Sequence, residues 1–323
     1  MLKKYNIGSL MTESSLGVVA VVVLYSIFMA IFTDTFLTTV NFFTTSRAFS
    51  LWVVVGFSQM MALVIGQLNL SVGAIGGLSG ITAGYLFMNT ELPVWAVISA
   101  GLLVGMACGL INGIIIIRTG INAFIVTLGT FSVFTGIIFG VTGATPYSAI
   151  PAAFTFIGRS KVLETIPLVL FVMLAVGLLL YVLFKRTVLG REILATGGNA
   201  GAALLSGINT KKVVVVSHVI SGLLASLGGI LFVARLGAAH PRIGQNWLLM
   251  SFAVPIIGGV ALDGGRISIL GVIFGGILVT FISNGLVLLR VDIFWEQFFL
   301  GLVLLIAVGI DRAKTVYIES RYS

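Results

Sequence analysis

Residues 190–209 read GREILATGGNAGAALLSGIN, twenty largely polar and small residues set between two apolar segments, 166–184 and 213–233. Apolar flanks of that length hold the intervening run close to a membrane surface. Its halves, 191–196 and 200–206, have helix-forming composition. Gly197 and Gly198 between them supply a break that tolerates positive φ. Asn199 stands where an N-cap for the second half belongs, its side-chain oxygen accepting from the first free N–H groups. The expected product is a short amphiphilic helix on the cytoplasmic face that docks a partner. The competing reading is a solvated connector, although connectors are commonly shorter and seldom so rich in alanine.

The rest of the composition fits such a loop. Of 323 residues, 59% are hydrophobic and 9% charged, against roughly 25% charged in soluble domains. The chain therefore reads as an all-α polytopic membrane protein, a single domain over 1–323. Forty glycines with six prolines suit closely packed transmembrane helices, in which small residues let backbones approach. The lone Cys108 excludes an intrachain disulfide and a cysteine metal site. The opening MLKKYNIGSLMTESS runs into an apolar stretch with no small-residue cleavage site, which predicts a retained first helix.

A window of about 20 apolar residues finds ten candidate spans, near 16–33, 48–66, 72–88, 93–117, 121–141, 166–184, 213–233, 247–262, 267–289 and 293–310. With the N-terminus inside, Lys3, Lys4, Arg118, Lys185, Arg186, Arg191, Lys211, Lys212, Arg266, Arg312, Lys314 and Arg321 fall on the cytoplasmic side. Arg47, Arg159, Lys161, Arg235, Arg242 and Arg290 fall outside. Twelve against six is the sense the positive-inside rule requires, so both termini are expected to be cytoplasmic. The acids divide evenly, so the net charge of +8 reports membrane topology. No aromatic-interleaved basic patch suggests nucleic acid. The segment 142–165, with Pro146 and Pro151, reads either as a short helix at the outer surface or as a flexible turn region.

Several chemistries are absent. The chain has no GxxxxGK[ST] and no Gly-Lys pair, hence no P-loop phosphate cradle. The two histidines, His218 and His240, fall on opposite sides in this topology and read as structural. All ten carboxylates lie in loops or at helix ends, whereas proton-coupled carriers place ionisable groups within the membrane. An energy source outside the chain is the expected arrangement.

The spans do contain uncharged polarity. Gln67, Asn69 and Ser71 interrupt GQLNLSVG and predict a helix break between the second and third spans. Asn112, Asn122, Thr127, Thr130, Ser132 and Asn284 add amides and hydroxyls. Such groups can hydrogen-bond a polyhydroxylated solute without the desolvation cost of a charge, or bond between helices, worth about 0.6 kcal/mol each. For the cluster beside Asn69 the solute path is the favoured reading, with Gln67, Asn69, Ser71, Asn112, Asn122, Thr127 and Thr130 along it.

Five blocks then carry a resemblance: GQLNLSVGAIGGLSG (66–80), AFIVTLGTFSVFTG (123–136), ATGGNAGAALLSGIN (195–209), SGLLASLGGILFVARLGAAHP (221–241) and IIGGVALDGGRISILG (256–271). In order and over nearly the whole chain from about residue 50, they resemble the ribose-type sugar permeases of bacterial ABC importers. The resemblance implies a multi-pass subunit of the inner (plasma) membrane, embedded in lipid. It further implies a second permease copy or related chain, cytoplasmic ATPase subunits that bind ATP and Mg, and an external or periplasmic sugar-binding protein. This chain itself would hold no cofactor or metal and would not be an enzyme. The family's ATPase-engaging loop matches 190–209, which makes Gly190, Arg191, Glu192, Ala195, Gly197, Gly198, Asn199, Ala202, Ala203, Ser206 and Gly207 the implied coupling residues. Permeases for nucleosides or branched-chain amino acids, and a self-sufficient secondary carrier, are the alternatives. Two departures stand out. The family's usual Ile-Asp-Leu-Ser is Leu68-Asn69-Leu70-Ser71 here, and Gly-Gly-Arg-Gly-Ser is Gly264-Gly265-Arg266-Ile267-Ser268. The second is expected to reshape a turn, because isoleucine resists glycine-only conformations.

Overall fold

The computed structural model describes residues 13–162 and 164–319. Lys3, Lys4, Arg321 and both chain termini lie outside the described residues. The described residues form thirteen α-helices, α1 Glu13–Phe32, α2 Thr39–Leu63, α3 Val72–Asn89, α4 Val94–Thr119, α5 Ala123–Thr142, α6 Ala152–Arg159, α7 Leu168–Arg186, α8 Val188–Gly198, α9 Ala200–Leu205, α10 Thr210–Leu236, α11 Trp247–Ile257, α12 Ile269–Leu288 and α13 Glu296–Glu319. A two-residue hairpin, β1 Lys161–Val162 with β2 Ile166–Pro167, follows α6.

The expectation of ten spans meets a different helix inventory. Five helices among the described residues, α4, α5, α7, α10 and α12, are long and apolar enough to cross a membrane. The apolar sections at the two chain ends are shorter, Leu16–Phe32 and Glu296–Ile306. The eighth expected span, 247–262, contains only the 11-residue α11. At 1.5 Å per residue that is about 16 Å, half of the ~30 Å hydrocarbon layer. Helices α2 and α3 have 25 and 18 residues but carry polar and glycine residues through their length. A hydropathy window counts apolar residues and cannot see where the backbone leaves the helix.

The core is built on α10, which has 27 residues and is therefore about 40 Å long. Helix α4 lies against it through a glycine stripe at every fourth residue, Gly101, Gly105, Gly109 and Gly113. These face Ile230, Ser226 with Gly222, the His218 carbonyl and Val215 in turn. Four-residue spacing keeps the stripe on one helix face, and the missing side chains let the backbones close. Helix α3 is buried along most of its length, sandwiched by α10, α4 and α5.

The two ends of α10 differ. Helices α8 and α9 precede its N-terminus, and α8 packs against it. At its C-terminal end sits α6, which settles the 142–165 segment as containing a helix. Phe154 is fully buried and meets Phe87 edge-on at 5.0 Å, while Gly158 lies against the backbone of Ala234 and Arg235. Arg159 Nε donates to the Arg235 carbonyl at 3.0 Å, and its terminal nitrogen donates to the Leu236 carbonyl. These are carbonyls that a helix C-terminus leaves without intrahelical donors. Arg159→Ala is expected to lower stability by about 1 kcal/mol, discounted for exposure. Thermal unfolding of the solubilised protein reads this, and an unchanged midpoint would contradict it.

Candidate functional site

Segment 190–209 folds as two short helices. Thr187 caps α8, its hydroxyl accepting from Gly190 N at 3.0 Å, and Asn199 caps α9, its Oδ1 accepting from Ala202 N at 2.9 Å. The cap read from sequence is present, but the glycine pair works differently. Neither Gly197 nor Gly198 has positive φ. Both lie inside α8, and the chain turns at Asn199, which is extended at φ −163° and ψ 103°.

Close approach is what Gly197 supplies. A Cβ there would stand 1.7 Å from the Val64 carbonyl oxygen and 2.7 Å from Gly265 N. A Cβ on Gly198 would meet nothing within 4 Å. Val64 ends α2 and opens the first break, residues 64–71, while Gly265 belongs to a second break, residues 258–268, between α11 and α12. The two breaks are joined directly, since Gly265 N donates to the Val64 carbonyl at 2.8 Å. Gly66, Gly264 and Gly265 all have positive φ, and a Cβ on Gly264 would fall 2.7 Å from both Gly197 O and Gly66 N. Three distant parts of the chain therefore meet backbone to backbone at one junction. Ile267 has no positive φ and packs on the core, so isoleucine is not forced into a glycine-only conformation there.

The remaining residues of the segment divide by burial. Ile193 and Thr196 are buried beneath α8 and Ala203 beneath α9, while Gly190 is pressed onto the α7 backbone at Leu183 and Phe184. Arg191, Ala195, Gly198, Asn199, Ala202, Ser206 and Gly207 are exposed and Glu192 is half-buried. Beside them Leu204 is 62% and Leu205 91% exposed. These two leucines belong to the open face, although the sequence reading passed over them.

Above the junction, the first break carries a polar cluster. Asn69 Nδ2 donates to Ser221 Oγ at 2.9 Å, and Asn69 Oδ1 accepts from Ser71 N at 3.1 Å and Ser71 Oγ at 2.7 Å. Asn112 Nδ2 donates to Ser71 Oγ at 2.8 Å, and Ser58 Oγ donates to the Ser221 carbonyl at 2.8 Å. The Gln59 amide, suitably turned, brackets the Asn69 backbone at 2.8 and 3.2 Å. Thr127 Oγ1 accepts from Leu70 N at 3.1 Å. His218 Nε2 lies 2.8 Å from Gln67 Oε1, which selects the tautomer with hydrogen on Nε2. Asn69, Ser71, Asn112 and Thr127 are fully buried and present no open surface, while Gln67 at the edge of the cluster is half-buried. Thr130 bonds within its own helix, to the Thr127 carbonyl. Asn122 stands apart: it is exposed and caps α5, accepting from Phe124 N at 2.8 Å.

With this geometry in place, the comparisons can be read. Residues 41–308 match the family described as the permease component of branched-chain amino acid transport systems. The chain belongs to this permease family. It is 36% identical over 290 residues to the D-allose transport system permease protein of Escherichia coli, covering 90% of this chain and 89% of that one. It is 32% identical over 312 residues to the ribose import permease protein of Haemophilus influenzae, covering 95% of each. It is 35% identical over 268 residues to the fructose import permease protein of Rhizobium meliloti, covering 80% of this chain and 74% of that one. No solved structure matches the permease.

Sequence reasoning missed Ser58, Gln59 and Ser221 as members of the permease's polar cluster. One signal was available, a Ser-Gln pair inside an otherwise apolar stretch, GFSQMM at 56–61. Gln59 meets Asn69 only ten positions on, but Ser221 lies more than 150 positions from its partners Ser58 and Asn69, and spacing along the chain cannot show such contacts.

Proposed function

We propose that this permease is the membrane-spanning subunit of an ATP-driven ABC importer in a bacterial cell membrane, and that its solute is a neutral sugar. One observation carries the mechanism: Gly197 of α8 packs onto both helix breaks at once. A force on α8 and α9 therefore reaches the end of α2 and the α11–α12 turn without a flexible intermediate, and the first break leads directly into the polar cluster. Stiff elements with two packings transmit such a push.

In this reading α8 and α9 face the cytoplasm and seat an ATPase subunit, where ATP and Mg are held. Leu204 and Leu205 fill an apolar groove on that partner, between the basic flanks Lys185, Arg186, Lys211 and Lys212. Closure of the ATPase pair pushes the segment, the two breaks shift, and the closed cluster of Asn69, Ser71, Asn112 and Thr127 opens as part of the path. A second permease copy completes the pore, and an external binding protein delivers the solute. Hydrolysis resets the closed arrangement.

The relatives named for allose, ribose and fructose support a sugar. The cluster adds a chemical argument against the branched-chain amino acids of the family description. A zwitterion calls for charged partners, and the cluster offers amides, hydroxyls and one imidazole. Uptake of radiolabelled D-allose, D-ribose, D-fructose and L-leucine by cells carrying the complete transporter tests the assignment. Saturable uptake of at least one sugar is expected, and uptake of leucine alone would overturn it. Leu205→Glu is expected to reduce co-purification of the ATPase about tenfold, ~1.4 kcal/mol, while leaving the thermal midpoint unchanged because that side chain is 91% exposed. Undiminished co-purification would remove this face from the contact.

A further inference from the structure

Toward the C-terminal end of α10 the permease opens a shallow, largely apolar cavity of about 320 Å³, lined by Trp52, Phe232 and Trp247 together with His240, Arg242 and Asn246. We infer that this cavity is the seat of a single monosaccharide, the outer station of the path, occupied before the polar cluster opens. The inference rests on the sugar-importer reading and adds to it a site and a size class.

The cavity is built into the fold. The three rings contact one another, Trp52 with Phe232 at 5.2 Å and 65°, Trp52 with Trp247 at 6.1 Å and 76°, and Phe232 with Trp247 at 4.7 Å and 42°. Trp247 is buried, and glycines make the room for it: a Cβ on Gly76 would come within 2.5 Å of its ring. The rim loop is pinned as well. Gly244, at φ +91°, packs its backbone on Gly73 of α3 so closely that a Cβ would lie 1.9 Å from the Gly73 carbonyl oxygen. Its neighbours Arg242 and Asn246 are exposed, and among the described residues neither side chain has a hydrogen-bond partner. His240 Nδ1 accepts from Arg242 N at 3.2 Å, which leaves Nε2 as the donor toward the rim.

This combination suits a sugar ring. Its C–H faces are apolar and stack on aromatic surfaces, and its hydroxyls need the mixed donors and acceptors that an amide, a guanidinium and an imidazole supply. The volume lies at the small end of the ~300–1,000 Å³ typical of ligand sites, which matches one sugar ring. Position agrees with a station. Trp52 precedes Ser58 and Gln59 of the polar cluster by six and seven residues on α2, about 10 Å along the helix. A sugar in the cavity would rest directly outside the closed section.

The test is initial-rate uptake of D-ribose, D-allose and D-fructose by cells carrying the complete transporter, with membrane abundance measured for each variant. An external binding protein sets KM, so changes in the cavity appear in vmax. Trp52→Leu and the double variant Arg242→Ala/Asn246→Ala are each expected to lower vmax about tenfold at unchanged KM, ~1.4 kcal/mol, and Trp52→Phe is expected to retain most of it. The rim double variant removes only exposed side chains and so keeps the test valid if Trp52→Leu fails to accumulate. Unaltered vmax in the rim variant, or a loss in Trp52→Phe equal to that in Trp52→Leu, would overturn the cavity and leave the importer reading standing. A transporter that imports none of the three sugars would overturn the sugar reading, and the cavity with it.

Discussion

Gly197→Val is expected to uncouple import from ATP hydrolysis, which continues in the assembled transporter. A Cβ at this position would stand 1.7 Å from the Val64 carbonyl oxygen, the oxygen that accepts from Gly265 N at 2.8 Å. A branched side chain must therefore break that bond and lift α8 away from both helix breaks, since packed backbone has no low-energy way to yield. Leu204 and Leu205 of α9, the side chains proposed to hold the ATPase, are not altered, so the motor is expected still to bind and turn over. Sugar imported per ATP hydrolysed is expected to fall about a hundredfold, ~2.8 kcal/mol. Gly198→Ala, one residue along and with nothing within 4 Å of its Cβ, is expected to import at close to the unaltered rate. An unchanged ratio in Gly197→Val would mean that force reaches the path by another route.

The second large effect is expected at Asn69. Its side chain is fully buried and bonds to Ser221, Ser71 Oγ and Ser71 N. Asn69→Leu keeps the approximate size and removes all three bonds, leaving the Ser71 amide buried and unpaired. With a penalty of ~1–3 kcal/mol for a stranded buried group, a loss of about 1–3 kcal/mol is expected. Thermal unfolding of the solubilised permease measures it. Asn69→Asp restores the residue usual at this position in the ribose-type permeases. It keeps the bonds from Ser71 and lets the Ser221 hydroxyl rotate to donate where it now accepts. Burying a carboxylate adds a cost, so a smaller loss than for the leucine variant is expected only where that carboxyl is protonated. Equal midpoints for the leucine variant and the unaltered permease would show that the cluster adds no net stability.

Segment 190–209 was legible because its controls are local. Asn199 caps the residues that follow it, and alanine-rich halves form helices by their own propensity. The glycine pair was misread because close approach to Val64 and Gly265 depends on segments far away in the chain, whereas positive φ is the local property that a glycine pair suggests. The break at Asn69 was readable from polar residues interrupting an apolar run. Its burial was not, since Ser58 and Ser221 close it from elements separated by 163 positions. Asn122 was placed on the path by residue type, although an asparagine directly before a helix is a cap first. The aromatic cavity left no trace in the sequence, because Trp52 and Phe232 belong to different helices and single aromatics are unremarkable in apolar spans.

The central claim is that this permease contains a gate and the lever that works it, and takes its energy from an ATPase. Sugar accumulation in proteoliposomes reconstituted with the complete transporter and binding protein tests this most directly, with ATP supplied on the side of the ATPase or replaced by proton and sodium gradients. Accumulation above the external concentration with ATP, and equilibration at most with the gradients, is the predicted result. Uphill accumulation driven by an ion gradient without ATP would contradict the account.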